Sequence, residues 1–585
     1  MDIISLPIPK IKARKIDLEI EQQAQQHGLH PLLARIIAAR PKPNNYDIQQ
    51  QLDPKLTNLD HPLLMRDMEK ASIRLATAII NKEVIGIETD HDCDGQTSHA
   101  VLYDALLHKF KVPATSIRSY IGHRLTEGYG LSAKVAQRIL ADRPCPSLII
   151  TADNGSADEA RITLLKAAGI DVIVTDHHQL PLAGPPLSAY ACINPTRNDC
   201  DYPDPYIAGC MVAWLLMVAT RIELIKRDYL SFDAPKLTDS LDFVAVGTVA
   251  DCVSMARSYN NRAIVTYGLK LINASQRPCW RAIKTLTKGI VSAEDLGFKV
   301  GPLLNSDGRL ASAFGSVSFL LAVDDPEAQQ WVGYLQEQNQ IRKGIQNSIT
   351  QQGIKIALEQ TQSGRFSLCI FLAAGHAGVH GISASRIKES FGRPTVFLAP
   401  KQGEEGILTG SIRSIEGFHV GNALEWIMQQ DPAVLIAGGG HAGAGGVTLH
   451  NDNYERFTQL FEIVAQQQLN PETLGPVVWT DGELTFNDFN IATLDMLARL
   501  EPFGREFEAP VFEVTAVLES FRTIGDGSHA RLELRVGQQR INGVWFSFQS
   551  TATVGDTVRC AFSLKVNDFG GVRRCEIQVL WLSKA

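Results

Sequence analysis

The ten cysteines include no C-x-x-C pair, which excludes a zinc ribbon and a thioredoxin-like redox site and leaves reduced, mostly packed thiols as the expectation. Long apolar runs are missing too. The longest, residues 210–219, is about half of what a membrane span requires, and the opening residues lack the apolar core of a signal peptide, so a cytoplasmic protein with no membrane partner is expected. Positive charge is in deficit, with 56 Lys and Arg against 63 Asp and Glu and a net charge of −7. By net charge alone a nucleic-acid partner would be disfavoured. What decides is whether cations cluster locally while carboxylates are withdrawn into a metal site. Low-complexity sequence and repeats of fixed period are also lacking. With 45% hydrophobic and 20% charged residues the chain should fold throughout, and 585 residues allow about three or four domains.

Residues 17–82 read as a helical lead-in, with apolar side chains at three-to-four spacing. The period then changes. Residues 84–89 (VIGIET), 147–151 (SLIIT) and 171–175 (DVIVT) are short β-rich runs separated by helical stretches, which implies a parallel sheet. A long connecting helix is expected over 326–362. A second, smaller α/β block follows over 363–468, with LCIFLA, TVFLA and AVLIA as strand candidates and a glycine-dense tract at 438–446. From 469 to 585 short alternating strands predict a β-barrel. The first 325 residues then hold the lead-in and the parallel-sheet domain.

Each run of the parallel sheet ends in acidic residues, at the edge where open α/β sheets bind ligands. Asp90, Asp92 and Asp94 stand at alternate positions before Gly95. Three acids so close repel one another unless cations neutralise them. Read alone, the segment could equally be a solvated loop, and Val101 at its twelfth position excludes an EF-hand. Asp153 precedes Asn154-Gly155, Asp176 leads His177-His178, and Asp251 ends a fourth apolar run, read as one more strand end. Mixed Asp and His ligation in this oxygen-rich balance favours two Mn²⁺ or Mg²⁺ ions, and two such ions suit phosphoester hydrolysis.

These residues, in this order and spacing, resemble the four successive motifs of the DHH phosphoesterase superfamily. Within it, the chain is most similar to the RecJ family of single-strand-specific 5′ to 3′ exonucleases, from about residue 21 onward. Arg124 and Tyr129 lie in a segment similar to one that contacts the terminal nucleotide. Residues 301–309, with Asn305 and Arg309, resemble the family's GPxLNxxGR element. Ser383, Arg386, Ser411, Arg413 and His441 fall in segments that resemble the DHH-associated domain, and a β-barrel of OB type would come last. Some positions depart from the pattern: Gln96, Cys93 and Gly375, and residues 505–508, which lack the glycine-asparagine-proline expected after Pro502-Phe503-Gly504.

The resemblance implies Asp90, Asp92, Asp94, Asp153, His177 and Asp251 as ligands, Asp176 orienting a histidine, and His178 on the scissile phosphate. Arg309, Ser411 and Arg413 would read a terminal 5′ phosphate, and the glycine tract with His441 is either a flexible turn or a phosphate-cradling nest. The implied activity is degradation of single-stranded DNA to 5′ mononucleotides in DNA repair and recombination, with strand selectivity set by a groove too narrow for a duplex. The implied partners are single-stranded-DNA-binding protein and a helicase, with a monomeric enzyme. Related phosphodiesterases acting on short oligonucleotides or cyclic dinucleotides, and a catalytically silent replication scaffold, are the rival readings. Residues 511–585 carry nine Lys and Arg against seven Asp and Glu, and Phe521, Trp545 and Phe546 could stack on a strand or, for Trp545, fill the barrel.

Overall fold

A computed structural model describes residues 6–124, 126–287, 289–310, 313–549, 552–568 and 571–585, so Leu125 of the Arg124 segment lies outside the described residues. The chain forms two compact units, the first made of residues 41–342 and 501–508, the second of 6–40, 343–500 and 509–585. Strand β1 (Lys10–Ala13) belongs to the second unit, where it runs parallel to a later strand.

The first unit is built on a five-stranded sheet of β2 (Ile85–Thr89), β3 (Ile117–Ile121), β4 (Leu148–Ala152), β5 (Asp171–Thr175) and β6 (Ala191–Ile193), in the order β3-β2-β4-β5-β6. Every pairing is parallel. Strands β2 and β4 are buried at all five positions, as a sheet covered on both faces requires, which explains their unbroken apolar runs. The chain passes from β2 outward to β3 and then crosses back to β4. The strand order therefore reverses between β2 and β4, and the crevice beyond their carboxyl ends is where such sheets hold ligands. Behind the sheet lie two helices, Gly209–Lys226 and Leu241–Ala250, apolar around most of their circumference and correspondingly buried.

A 38-residue helix, Asp325–Gln362, carries the chain into the second unit. There β7 (Leu368–Phe371), β8 (Thr395–Pro400), β9 (Ile407–Arg413), β10 (Ala437–Gly440) and β11 (Ala444–His450) form a mixed sheet in the order β10-β11-β9-β8-β7. The expected strand AVLIA does not form over its length: Val434 and Leu435 sink into the apolar core from a loop, and the glycine-rich residues after them take the strand instead. Strand β12 (Val477–Thr480) pairs with β1. Beside that pair, Arg40 and Asp481 make a buried two-pronged ion pair, with Nη1–Oδ1 at 2.6 Å and Nη2–Oδ2 at 3.1 Å. The last five strands, β13 (Phe512–Ile524), β14 (His529–Val536), β15 (Gln539–Trp545), β16 (Thr557–Asn567) and β17 (Arg574–Lys584), close into a barrel in the order β13-β14-β15-β17-β16. Trp545 is barrel core, edge-on to Trp581 at 6.0 Å, whereas Phe546 is exposed. Among the described residues no helix is long and apolar enough to cross a membrane.

Candidate metal centre

Directly after β2 the chain turns into the Cys93–Asp104 helix, whose first N–H groups need acceptors. Asp92 supplies one: its Oδ1 accepts from the backbone N–H of Asp94 at 3.0 Å and of Gly95 at 3.1 Å. The turn is so tight that a Cβ on Gly95 would stand 2.2 Å from the Asp90 carbonyl oxygen. Asp94 is buried, and its carboxylate accepts from the N–H groups of Gly209 at 2.7 Å and Cys210 at 3.0 Å, at the start of the Gly209–Lys226 helix. Asp153 leaves β4 with φ of 63°, a left-handed conformation that costs a non-glycine residue energy and is retained where the surroundings demand it.

These acids converge on an imidazole. His177 Nε2 lies 3.1 Å from Asp153 Oδ1, 3.5 Å from Asp251 Oδ2 and 3.8 Å from Asp94 Oδ2. Potential ligand atoms of Asp94, His177 and Asp251 all lie within 4.8 Å of one another, and so do those of Asp90, Asp92 and Asp153. Asp153, at the border of the two groups, makes them contiguous. Asp251 arrives from the end of the Leu241–Ala250 helix and not from a strand, which corrects the sequence expectation. Its apolar run is buried on all sides, and periodicity cannot separate such a helix from a buried strand.

Burial, followed by the neighbouring Asp94 and Asp92, pushes the carboxyls of Asp153 and Asp251 well above the ordinary range. Asp92 is raised by burial and then by Asp90 and Asp94. Burial also works against ionised Asp90, but His91, with Nδ1 at 2.9 Å from its Oδ1, holds that acid at about 2. His177 is lowered by burial and then by His178, which favours the neutral imidazole that a metal requires. Asp90 Oδ1, Asp153 Oδ1 and His177 Nε2 are buried, and their close approaches to His91 and to each other are not aligned as hydrogen bonds. Orphaned acceptors, crowded acids and a neutral imidazole are the donor set of a divalent cation, so the residues fit two such ions.

Around this centre Asp176 fixes the His177-His178 turn, its Oδ1 accepting from both backbone N–H groups and lying 2.8 Å from His178 Nδ1. Burial lowers the His178 pKa, yet Asp176, then Asp251 and Asp92, raise it to about 10. Tyr129 is exposed, 5.0 Å from the His91 ring, with the Arg124 guanidinium 5.0 Å from its own ring centre. Arg309 sits among cations: burial, then Arg124 and Arg342, lower it to about 10, while Asp92 pulls the other way. Arg342, buried and held by Asn339 Oδ1, was not singled out from sequence; it lies in the long helix, where an arginine reads as ordinary solvated surface.

Asn305 faces the metal loop, its Oδ1 accepting from the Cys93 N–H at 2.9 Å. Gln96 secures the same loop by donating from Nε2 to the His91 carbonyl at 2.8 Å. In the second unit Arg413 donates to Ser411 Oγ at 2.7 Å, and Gly381 leaves room for its guanidinium, since a Cβ there would stand 2.5 Å from Nη2. Ser383 is buried with its Oγ 3.0 Å from Thr350 Oγ1, and exposed Arg386 donates to Asn347 at 3.2 Å. The glycine tract is a β-hairpin: β10 and β11 pair antiparallel, which spends amides that a phosphate nest would need, and His441 is exposed at its turn.

Residues 84–248 match the DHH family, N-terminal domain; residues 367–467 match the DHHA1 domain, and 480–580 the RecJ OB domain. The chain is 33% identical to the single-stranded-DNA-specific exonuclease RecJ of Haemophilus influenzae, over 94% of this chain and 96% of that one. The same-named protein of Dickeya dadantii is 34% identical, over 95% and 96%. The crystal structure of RecJ in complex with Mn²⁺ from Thermus thermophilus matches with a TM-score of 0.79 at 24% identity, covering 99% of this chain and 80% of that one, and shares its fold. By fold, motif order and near full-length similarity, the chain belongs to the RecJ family of single-stranded-DNA-specific exonucleases.

Proposed function

We propose that this protein hydrolyses single-stranded DNA from the 5′ end, releasing 5′ mononucleotides, and that it uses two divalent ions, Mn²⁺ or Mg²⁺. The observation that carries this reading is the pair of contiguous ligand groups with orphaned buried atoms at the strand-order reversal. Asp94, His177 and Asp251 would hold one ion, and Asp90, Asp92 and Asp153 the other. Bound there, the ions supply water activation and neutralise charge on the phosphate. His178, oriented by Asp176 through Nδ1, contacts the scissile phosphate. Arg124, Arg309 and Arg342 hold neighbouring phosphates by charge-assisted hydrogen bonds, and exposed Tyr129 stacks on a base. Ser411 and Arg413 take the terminal phosphate. Asn305, by its bond to Cys93, orients the metal loop, while Ser383, Arg386 and His441 are assigned to the strand on family resemblance. On the barrel, Arg522, Arg531 and Arg574 line a polar groove with Asn542 and Asn567, where they outnumber Glu533 and Glu576, and this groove is assigned to the DNA backbone. Single-stranded-DNA-binding protein and a helicase are the protein partners that go with this reading, and the enzyme acts as a monomer in the cytoplasm.

The test uses single-stranded and duplex DNA labelled at either end, with Mn²⁺, Mg²⁺ or chelator. Mononucleotide is expected from the 5′ label of the single strand, with either ion and not with chelator. Earlier release of the 3′ label, or equal attack on the duplex, would overturn the proposal.

A further inference from the structure

Residues 501–508 leave the second unit and join the first, where they pack beside the loop that follows Asp251. Fully buried Arg262 grips this excursion from below. It donates from Nη1 to the Pro502 carbonyl at 3.1 Å, and its guanidinium lies 4.5 Å from the Phe507 ring centre. The Met255 N–H donates to the Arg505 carbonyl at 2.9 Å. The contact that stands out is Glu506. Its backbone has φ of 62°, where glycine is at ease and a side chain is not. Its carboxylate compensates by accepting from Ser254 Oγ at 2.6 Å and from Arg257 Nε at 3.1 Å. Ser254 Oγ in turn accepts from the Arg257 N–H at 3.0 Å, and the Ser254 carbonyl accepts from Asn261 at 3.0 Å. Glu506 thus closes the network around the short segment that begins at Asp251. A position that favours glycine has been given to a residue whose only evident gain is this network.

We infer that Glu506 is a positioning residue for the metal centre: through Ser254 and Arg257 it fixes the loop after Asp251 and so the place of that ligand. The inference rests on the metal-centre reading above and deepens it. It is tested on the full chain with Glu506→Gly, which relieves the backbone and removes the carboxylate, and with Glu506→Gln, which keeps an acceptor for Ser254 and gives up the charge facing Arg257. Mn²⁺ affinity is read from the electron paramagnetic resonance of free Mn²⁺, alongside kcat and KM for a single strand and the melting temperature. Glu506→Gly should melt at or above the wild-type temperature yet bind Mn²⁺ about tenfold more weakly, the low end for groups that orient a ligand. Its kcat should recover at saturating Mn²⁺ with KM for the strand unchanged, and Glu506→Gln should fall between the two. Wild-type Mn²⁺ affinity in Glu506→Gly, or a loss of affinity only in step with a lowered melting temperature, would overturn the inference. Failure of the wild type itself to bind Mn²⁺ would instead overturn the metal-centre reading, and Glu506 with it.

Discussion

Replacing Gly209 by alanine adds one methyl at a place the structure leaves no room for. An ideal Cβ there lies 2.7 Å from Asp153 Cβ, 2.7 Å from its Oδ1 and 2.9 Å from its Cα, where ordinary contact begins near 3.4 Å. Something must yield by 3.4 − 2.7, or about 0.7 Å, and because the Cα is among the obstructing atoms a change of rotamer does not suffice. If Asp153 moves, a proposed ligand of one ion group is displaced. If the helix start moves instead, the N–H groups of Gly209 and Cys210 leave the carboxylate of Asp94, a proposed ligand of the other. Overpacking of this kind costs about 1–3 kcal/mol, which a protein with about 5–15 kcal/mol of stability survives. Misplacement on the ångström scale costs about a hundredfold in rate. Gly209→Ala should therefore fold while its single-turnover release of 5′ nucleotide falls about a hundredfold and its Mn²⁺ affinity drops. The control is Gly344→Ala, in the long helix with nothing within 4 Å of its Cβ, which should keep its rate and gain up to about 1 kcal/mol of stability. Wild-type rate and Mn²⁺ affinity in Gly209→Ala would show that the close approach of helix and strand end does not position the ligands.

Asp153→Ala and His177→Ala should each abolish hydrolysis, measured with a labelled single strand, while leaving strand binding largely intact; near-normal turnover by either would remove the two-ion scheme. Arg413→Ala should slow cleavage of 5′-phosphorylated strands about ten- to a hundredfold more than that of 5′-hydroxyl strands, and Arg413→Lys should restore part of the difference; an unchanged phosphate-to-hydroxyl ratio would withdraw Arg413 from the 5′ end. Asp204 is raised to about 6 by burial although Ser258, Tyr206 and Asn260 bond to it. An acid whose folded pKa exceeds its unfolded value of about 3.9 binds more protons when folded, so wild-type stability at this site falls as pH rises from about 4 to 6 and is level above. Denaturant titrations should find the stability difference between Asp204→Asn and wild type moving in the variant's favour by about 2–3 kcal/mol between pH 4 and 7; a pH-independent difference would refute the assignment.

The parallel sheet was legible because its strands are buried on both faces and end in acids, so that Asp90, Asp153 and Asp176 mark one edge from sequence alone. The origin of Asp251 was not legible, because a helix buried all round carries no amphipathic signature. Val434 and Leu435 misled for a related reason: apolar residues announce burial, and only the ladder partner of the glycines, strand β11, settles which residues pair. Arg342 and Glu506 were hidden because their roles depend on neighbours distant in sequence, Arg309 for one and Ser254 for the other. The bond of Gln96 to the His91 carbonyl was hidden as well, since no local pattern discloses which backbone oxygen a buried amide reaches.

The pairing of β1 with β12, sealed by Arg40 and Asp481, also sets an order of events during synthesis. Arg40 is made 441 residues before its carboxylate, and a buried guanidinium without its partner is strongly unfavourable. Closing an unstructured loop of that length costs about 5 kcal/mol beyond a constant term. The parallel sheet of the first unit, by contrast, draws its five strands from residues 85–193 and can assemble while the ribosome is still far from residue 481. Folding of that intervening stretch shortens the chain to be closed, so the second unit inherits a smaller entropic penalty than its sequence separation implies. The docking of residues 10–40 therefore waits until the chain has been made past residue 481, long after the parallel sheet has had its strands.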